Sequence, residues 1–478
     1  MADPMLQFVH LAQQSPPKRE VSLRREDFAE IYQDFDKPAA ASQASRCSQC
    51  GVPFCQVHCP LNNNIPDWLK LTTEGRLEEA YEVSSATNNF PEICGRICPQ
   101  DRLCEGNCVI EKGFNSVTIG AVERYITDTA FQNGWVKPVM PRHERAESIA
   151  VIGAGPGGLA AAEMLRKQGY QVHVYDRHDR VGGLMIYGIP GFKLEKEIVI
   201  RRWKLLEEGG IVFHLNADIG GAISFAALRA QHDAVLIATG VYKPRDIGGP
   251  GVGLPGIVPA LDYLTASNRT GLGDQVPAFT DGTLNAKGKN VVVIGGGDTA
   301  MDCVRTAVRQ GAISVKCLYR RDKANMPGSM REVKNAEEEG VEFVWLSAPE
   351  AFLGDTHVTA VRAQRMHLGL SDASGRQSVE PIQGGHFNLP ADLVIKALGY
   401  DPEDMPKMFA EPELKVSRWG TLSVDHKTFM TSLPGVFAAG DIVRGASLVV
   451  WAIKDGRDAA AQIDAYIKQN ATIAVAAE

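Results

Sequence analysis

Residues 148–177 read SIAVIGAGPGGLAAAEMLRKQGYQVHVYDR. An apolar run at 149–152 predicts a buried strand. The turn Gly153-x-Gly155-x-x-Gly158, an alanine-rich helix and a second apolar strand follow, closing on Asp176. Gly153 permits a tight turn, Gly155 lets the backbone approach a pyrophosphate, and Gly158 lets helix and strand pack closely. The helix N-terminus, opened by Pro156, offers amide donors and a partial positive charge to phosphate. Asp176 stands where an acid accepts from a ribose hydroxyl, with Arg177 beside it. Glycine spacing alone also occurs in sheets that bind nothing. Strand, turn, helix and terminal acid together point to a dinucleotide site in a parallel α/β sheet.

The pattern repeats. Residues 289–321 read KNVVVIGGGDTAMDCVRTAVRQGAISVKCLYRR. Gly295-x-Gly297-x-x-Ala300 is the second fingerprint, and Asp298 and Thr299 open its helix. Aligning VYDR with LYRR sets Arg320, followed by Arg321, where the first unit has Asp176. An arginine there suits a ribose 2′-phosphate that an aspartate would repel, so the second site is expected to take NADPH.

A different chemistry precedes both units. Of ten cysteines, eight lie between Cys47 and Cys108. They form two groups, Cys47-x2-Cys50-x4-Cys55-x3-Cys59 and Cys94-x3-Cys98-x5-Cys104-x3-Cys108. The N-terminus has no apolar signal core, so the expected location is the cytoplasm, where stable disulfides are rare. Zinc favours paired C-x2-C knuckles, and only one C-x2-C is present. Eight thiolates suit two 4Fe–4S clusters. Cys59-Pro60 follows the cysteine–proline pattern in which a cysteine serves the other cluster, and Cys98-Pro99 is a second such pair, so the analogy guides the division without deciding it. That analogy joins Cys108 to Cys47, Cys50 and Cys55, and Cys59 to Cys98 and Cys104. The last ligand is Cys94 or a non-cysteine group such as Glu123. Between the groups, 65–91 carries apolar residues at helical spacing.

The bulk numbers exclude other classes. A chain of 478 residues exceeds one ordinary core. A net charge of −7 without a basic run argues against nucleic acid. No apolar stretch of about twenty residues appears, so no membrane span is expected.

AVLIATG (234–240), RVGGLMIYGIP (180–190) and LPGVFAAGDIVRGASLVVWAIKDGRDAA (433–460) resemble segments of two-dinucleotide-domain flavoprotein reductases. The resemblance implies FAD at the first site. Gly153, Gly155, Pro156, Gly158, Asp176, Arg177, Gly183, Leu184, Thr239, Gly240, Gly440, Asp441 and Ser447 are then its expected contacts. Gly295, Gly297, Asp298, Thr299, Ala300, Arg320 and Arg321 are those of NADPH. The implied fold class is α/β: a mostly helical iron–sulfur domain (1–145), then two Rossmann-like domains. The NADPH domain (285–395) is inserted in the FAD domain (146–284 and 396–478), with 268–283 as the entry hinge. The last residues, 471–478, are expected to fray.

Many such reductases deliver electrons to a C-x-x-C dithiol, and none follows Cys108. Cys303 and Cys317 stand alone and read as buried structural thiols. The cysteine domain is therefore the expected exit, with flavin between a two-electron donor and one-electron clusters. No catalytic side chain is assigned.

CSQCGVPFC, CPLNNNIPDW, GRICPQDRLCEGNC, YGIPGFKLEK and VVVIGGGDTAMDC resemble one family over nearly the whole chain, the small (β) subunits of bacterial NADPH-dependent glutamate synthases. The resemblance implies electron input from NADPH through FAD and two 4Fe–4S clusters. The implied partner is a large (α) subunit carrying FMN and a further iron–sulfur cluster, which makes L-glutamate from L-glutamine and 2-oxoglutarate. The alternative is the input subunit of another NADPH-dependent reductase, dihydropyrimidine dehydrogenase-like or NADPH:ferredoxin oxidoreductase-like. The cysteine domain is the expected docking surface, with 60–93 the segment to test.

Overall fold

The structure, a computed structural model, describes residues 5–371 and 377–477, with side chains to residue 470. The fraying expectation thus falls on residues whose side chains lie outside the described set.

The quoted stretch forms the middle of a five-stranded parallel sheet. Its order is Val436–Ala438, Ala234–Ile237, Ser148–Ile152, Gln171–Tyr175, Val212–His214. Chain order reverses at Ser148–Ile152, which opens a crevice at the carboxyl ends of the strands. Ile149 and Val151 face a core shared with the helices Pro156–Lys167 and Val449–Ala477. Ala150 and Ile152 face the opposite core, where Phe225 and Phe409 stack at 4.5 Å. The two helices touch backbone to backbone: a Cβ on Gly456 would lie 2.1 Å from the Gly157 carbonyl oxygen.

The second unit repeats the plan, as Ile257–Pro259, Leu393–Lys396, Asn290–Ile294, Ser314–Leu318, Glu342–Val344, all parallel. This moves the expected boundary at 284/285. Ile257–Pro259 pairs with Leu393–Lys396, and Val258, Tyr263 and Leu264 join the second core. The second unit therefore begins near 257, because an edge strand needs its neighbour's hydrogen bonds. Half of the stretch read as a hinge is helical, lying in Ala260–Gly271 and Pro277–Thr280. The crossing between units instead includes the antiparallel pair Lys243–Pro244 and Tyr400–Asp401. An antiparallel sheet of Ser347–Leu353, Ala360–Ser371 and Gln377–Pro390 extends the second unit.

Residues 5–145 form helices without a named strand among the described residues. The segment read as one helix is two, Ile65–Thr73 and Leu77–Thr87, broken where Gly75 takes φ +76°. Trp68 is fully buried between them and the cysteine loops, and its indole N–H donates to Asn63 at 3.1 Å.

A buried ionic network binds the three parts together. Lys193 meets Asp302 at 2.9 Å, Arg305 meets Glu332 at 2.6 Å and Glu339 at 2.8 Å, and Arg309 meets Glu339 at 2.7 Å. Arg24, from the N-terminal segment, reaches Glu338 at 2.5 Å. Phe192 lies beneath Arg305 and Arg309 at 4.4 and 3.9 Å.

Candidate flavin, nucleotide and iron–sulfur sites

The first glycine turn is shaped for a ligand. Gly153 has φ +110°, and a Cβ there would lie 2.3 Å from the Ala238 carbonyl oxygen. A Cβ on Gly155 would meet nothing within 4 Å, so its face is open at the N-terminus of Pro156–Lys167. Gly155, Pro156, Gly183, Leu184, Thr239, Gly240, Gly440, Asp441 and Ser447 line one groove with Gly153 and Asp176. Arg177 lines the adjoining hollow, which shares Gly153, Asp176 and Thr239. Gly158 lies outside both; a Cβ there would stand 2.0 Å from the Gly153 carbonyl oxygen, so its work is packing.

Asp176 also holds the turn. Its carboxylate accepts from the amides of Ala154 at 2.7 Å and His178 at 2.8 Å. Ser447 donates to Asp441 at 2.6 Å, at the approach to Val449–Ala477, and burial raises the Asp441 carboxyl above its usual range. Tyr242 lines both hollows, and sequence reasoning missed it. Arg177 lies over its ring at 4.9 Å and pairs with Glu403 at 2.9 Å. The only sequence hint is an aromatic residue two positions beyond the ATG turn.

The second turn has the same build. A Cβ on Gly295 would lie 2.2 Å from the Ala397 carbonyl oxygen, and one on Gly297 would meet nothing within 4 Å. Asp298, Thr299 and buried Ala300 begin the helix Asp298–Arg309. The strand register alters one correspondence. Ile152 pairs with Tyr175 and Ile294 with Leu318, so Tyr319 stands in the place of Asp176, and Arg320 one residue beyond. Arg320 is exposed, whereas Arg321 turns inward and donates to the Gln377 carbonyl at 3.3 Å. Neither Tyr319 nor Arg320 repels a 2′-phosphate. Cys303 and Cys317 are fully buried.

The eight clustered cysteines make no disulfide. Cys59, Cys94, Cys98 and Cys104 line one cavity together with Asn88, Glu123 and Val450. Cys47, Cys50, Cys55 and Cys108 are neighbours of one another, each near enough to influence the charge of another. Burial pushes the Cys55 thiol up to about 12 and the Cys47 and Cys59 thiols up to about 11. Metal binding at such thiols must release protons. Among the described residues no three His, Cys, Asp or Glu side chains are spaced to share a single ion. Glu123 accepts from Asn88 at 3.3 Å and Asn63 at 3.5 Å, and burial pushes it up to about 8.

Comparison with known proteins matches these parts. Residues 24–135 match the family model of dihydropyrimidine dehydrogenase domain II, 4Fe–4S cluster. Residues 147–456 match that of pyridine nucleotide-disulphide oxidoreductases. The glutamate synthase NADPH small chain of Azospirillum brasilense is 69% identical over 477 residues, covering 99% of each chain.

The chain belongs to the glutamate synthase NADPH small-chain family.

The Escherichia coli small chain is 44% identical over 467 residues, covering 96% of this chain and 98% of its own. Among solved structures, Mycobacterium tuberculosis FprA in complex with NADPH superposes with a TM-score of 0.59 at 22% identity, covering 69% of this chain and 86% of that one. This last likeness bears on the fold alone: family members carry two Rossmann-like units, here preceded by the helical cysteine domain. Among the described residues no helix is long and apolar enough to cross a membrane.

Proposed function

We propose that this protein is the electron-input subunit of a glutamate synthase. It oxidises NADPH at FAD and passes electrons through two 4Fe–4S clusters to a large subunit. Bound FAD takes a hydride equivalent and yields single electrons, which is the conversion the two kinds of carrier require. The chain's residues supply the setting. Gly155 and Gly297 leave their helix N-termini open to phosphates. The N-terminus of Val449–Ala477 borders the flavin groove, where a helix dipole favours negative charge on a reduced ring.

One observation carries this reading. The inner thiol group, Cys59, Cys94, Cys98 and Cys104, shares that helix start with the flavin groove. The outer group, Cys47, Cys50, Cys55 and Cys108, completes the second cluster. Cys94 is the eighth ligand, with Glu123 beside the cluster in the hold of its two asparagines.

The outer group adjoins exposed apolar side chains: Val52 at 60% exposure, Phe54 at 47%, Val57 at 58% and Val109 at 53%. Contiguous exposed apolar surface favours a protein partner. This supports docking of the large subunit, with its FMN and iron–sulfur cluster, over the outer thiols rather than over 60–93. The test is anaerobic purification with iron and flavin assay. The reading requires about eight irons and one FAD per chain, with absorbance bleached by NADPH; a colourless protein contradicts it.

A further inference from the structure

The loop after Arg320 and Arg321 closes over the second glycine turn. The Gly328 amide donates to the Gly296 carbonyl at 3.0 Å, and the Ser329 amide donates to the Asp298 carboxylate at 3.0 Å. A Cβ on Gly328 would lie 3.2 Å from the Gly296 oxygen, so loop and turn are in near contact. What holds the loop there comes from another domain. Asp101 sits between the inner-cluster cysteines Cys98 and Cys104. Its carboxylate accepts from Ser329 Oγ at 3.1 Å and from the Met330 amide at 3.2 Å. Arg102 donates to the Pro327 carbonyl, and Arg331 returns the contact by donating to the Cys98 carbonyl at 3.3 Å.

The capping arrangement is unusual. Ser329 is the N-cap of the helix Met330–Glu338, yet its hydroxyl makes no capping bond within that helix. The acceptor of the first-turn amide is Asp101. A carboxylate at a helix N-terminus is favoured by the amides and by the dipole, and loss of a cap weakens the segment it starts. The iron–sulfur domain therefore supplies the cap for a loop of the nucleotide domain.

We infer that Asp101 is a positioning residue for the pyridine nucleotide: through Ser329 and Met330 it holds the 327–331 loop against the Gly295–Gly297 turn and so sets the affinity for NADP(H). The inference rests on the second glycine turn being the NADPH site. No electron or proton moves through Asp101 in this role. Its effect is on binding, so the Michaelis constant changes and the turnover number does not.

The experiment measures NADP+ binding to the purified full chain by equilibrium dialysis, alongside NADPH–dye kinetics. Asp101→Ala should weaken NADP+ by about tenfold, the size of a lost charged cap, and Ser329→Ala, which leaves the bond to the Met330 amide, by a smaller factor of about threefold. The turnover number and the iron content should stay as in the parent chain, and Asp101→Glu should restore part of the affinity. Because the Ser329 hydroxyl acts through Asp101, the double variant should be no weaker than Asp101→Ala alone. Ser329→Ala lies outside the cysteine loop, so it keeps the test open if Asp101→Ala loses its cluster. Arg320→Ala separates the two readings. If it weakens NADP+ while Ser329→Ala does not, the positioning role is overturned and the site stands. If Arg320→Ala and both loop variants leave NADP+ affinity unchanged, the site assignment fails as well.

Discussion

Val449 lines the flavin groove, and Val450, the next residue of the same helix, lines the cavity of Cys59, Cys94, Cys98 and Cys104. One helix start thus borders both the groove proposed for FAD and the cavity proposed for the inner cluster. A carboxylate placed there changes the electron-sharing equilibrium. A unit charge a few ångströms away costs on the order of 3 kcal/mol at an effective dielectric of about 20. Val450→Asp should let NADPH bleach the flavin and leave the inner cluster oxidised by electron paramagnetic resonance. Val450→Asn, without the charge, should retain most of the cluster signal. Equal signals in both variants would place the cluster elsewhere.

Arg320 is exposed at the end of the second unit's inner strand, one residue beyond the position of Asp176. Arg320→Ala should raise the Michaelis constant for NADPH about tenfold or more, the value of a charge-assisted bond to phosphate. That for NADH should hardly change. Equal effects on the two nucleotides would exclude Arg320 from the 2′-phosphate.

Cys94 and Glu123 face the same cavity. Cys94→Ser should lower bound iron by about half, the share of one of two clusters. Glu123→Gln should keep the iron, since its neighbours Asn63 and Asn88 can still hydrogen-bond to an amide. The opposite pattern would make Glu123 the ligand.

Three histidines gather at one edge of the first sheet. His173 Nδ1 lies 3.1 Å from His214 Nε2, and the rings of His173 and His232 are 5.3 Å apart. Burial lowers all three, and the neighbouring rings lower His173 and His232 further. With folded values below the unfolded one, the folded chain binds fewer protons, so stability rises with pH. The contribution is complete above the unfolded value of about 6.5 and is lost as pH falls through the folded values. Urea midpoints should therefore drop between pH 7.5 and pH 5.5, and His173→Gln should flatten that dependence. An unchanged slope would assign the acid sensitivity to other groups.

Glu339 accepts from both Arg305 and Arg309, and all three side chains are fully buried. Removing one partner of a buried ion pair strands the other charge, at about 3–5 kcal/mol. Glu339→Gln should lower the urea midpoint accordingly and loosen the second unit from the N-terminal segment. A cost below about 1 kcal/mol, the range of surface pairs, would show the network to be solvated.

Both glycine turns and their strands were legible because each rests on local sequence. Turn geometry needs glycine, which the sequence shows directly. The boundary near 257 was not legible, because Ile257–Pro259 is a three-residue strand defined only by its partner Leu393–Lys396. The antiparallel sheet at 347–390 was missed for a related reason. Gln377–Pro390 is mostly exposed and buries only Leu389, and Ala360–Ser371 buries only Val361 and Ala363, so the apolar signal is short and weak. Tyr319 takes the Asp176 position because the second helix–strand connection is one residue longer than the first, not the two residues that aligning VYDR with LYRR implies, and only the strand register reveals this. Asp101 meets Ser329 across 228 residues, a contact no motif records.

The most direct test joins this chain to a glutamate synthase large subunit. The two are purified together, and NADPH oxidation is followed with and without L-glutamine and 2-oxoglutarate. The account predicts a stable complex whose NADPH oxidation requires both substrates and yields L-glutamate. It also predicts that Val52→Glu with Val57→Glu, beside the outer thiols, abolishes the complex while NADPH–dye activity persists. A chain that carries FAD and both clusters, reduces dye with NADPH, and neither binds the large subunit nor supports glutamate formation would contradict it.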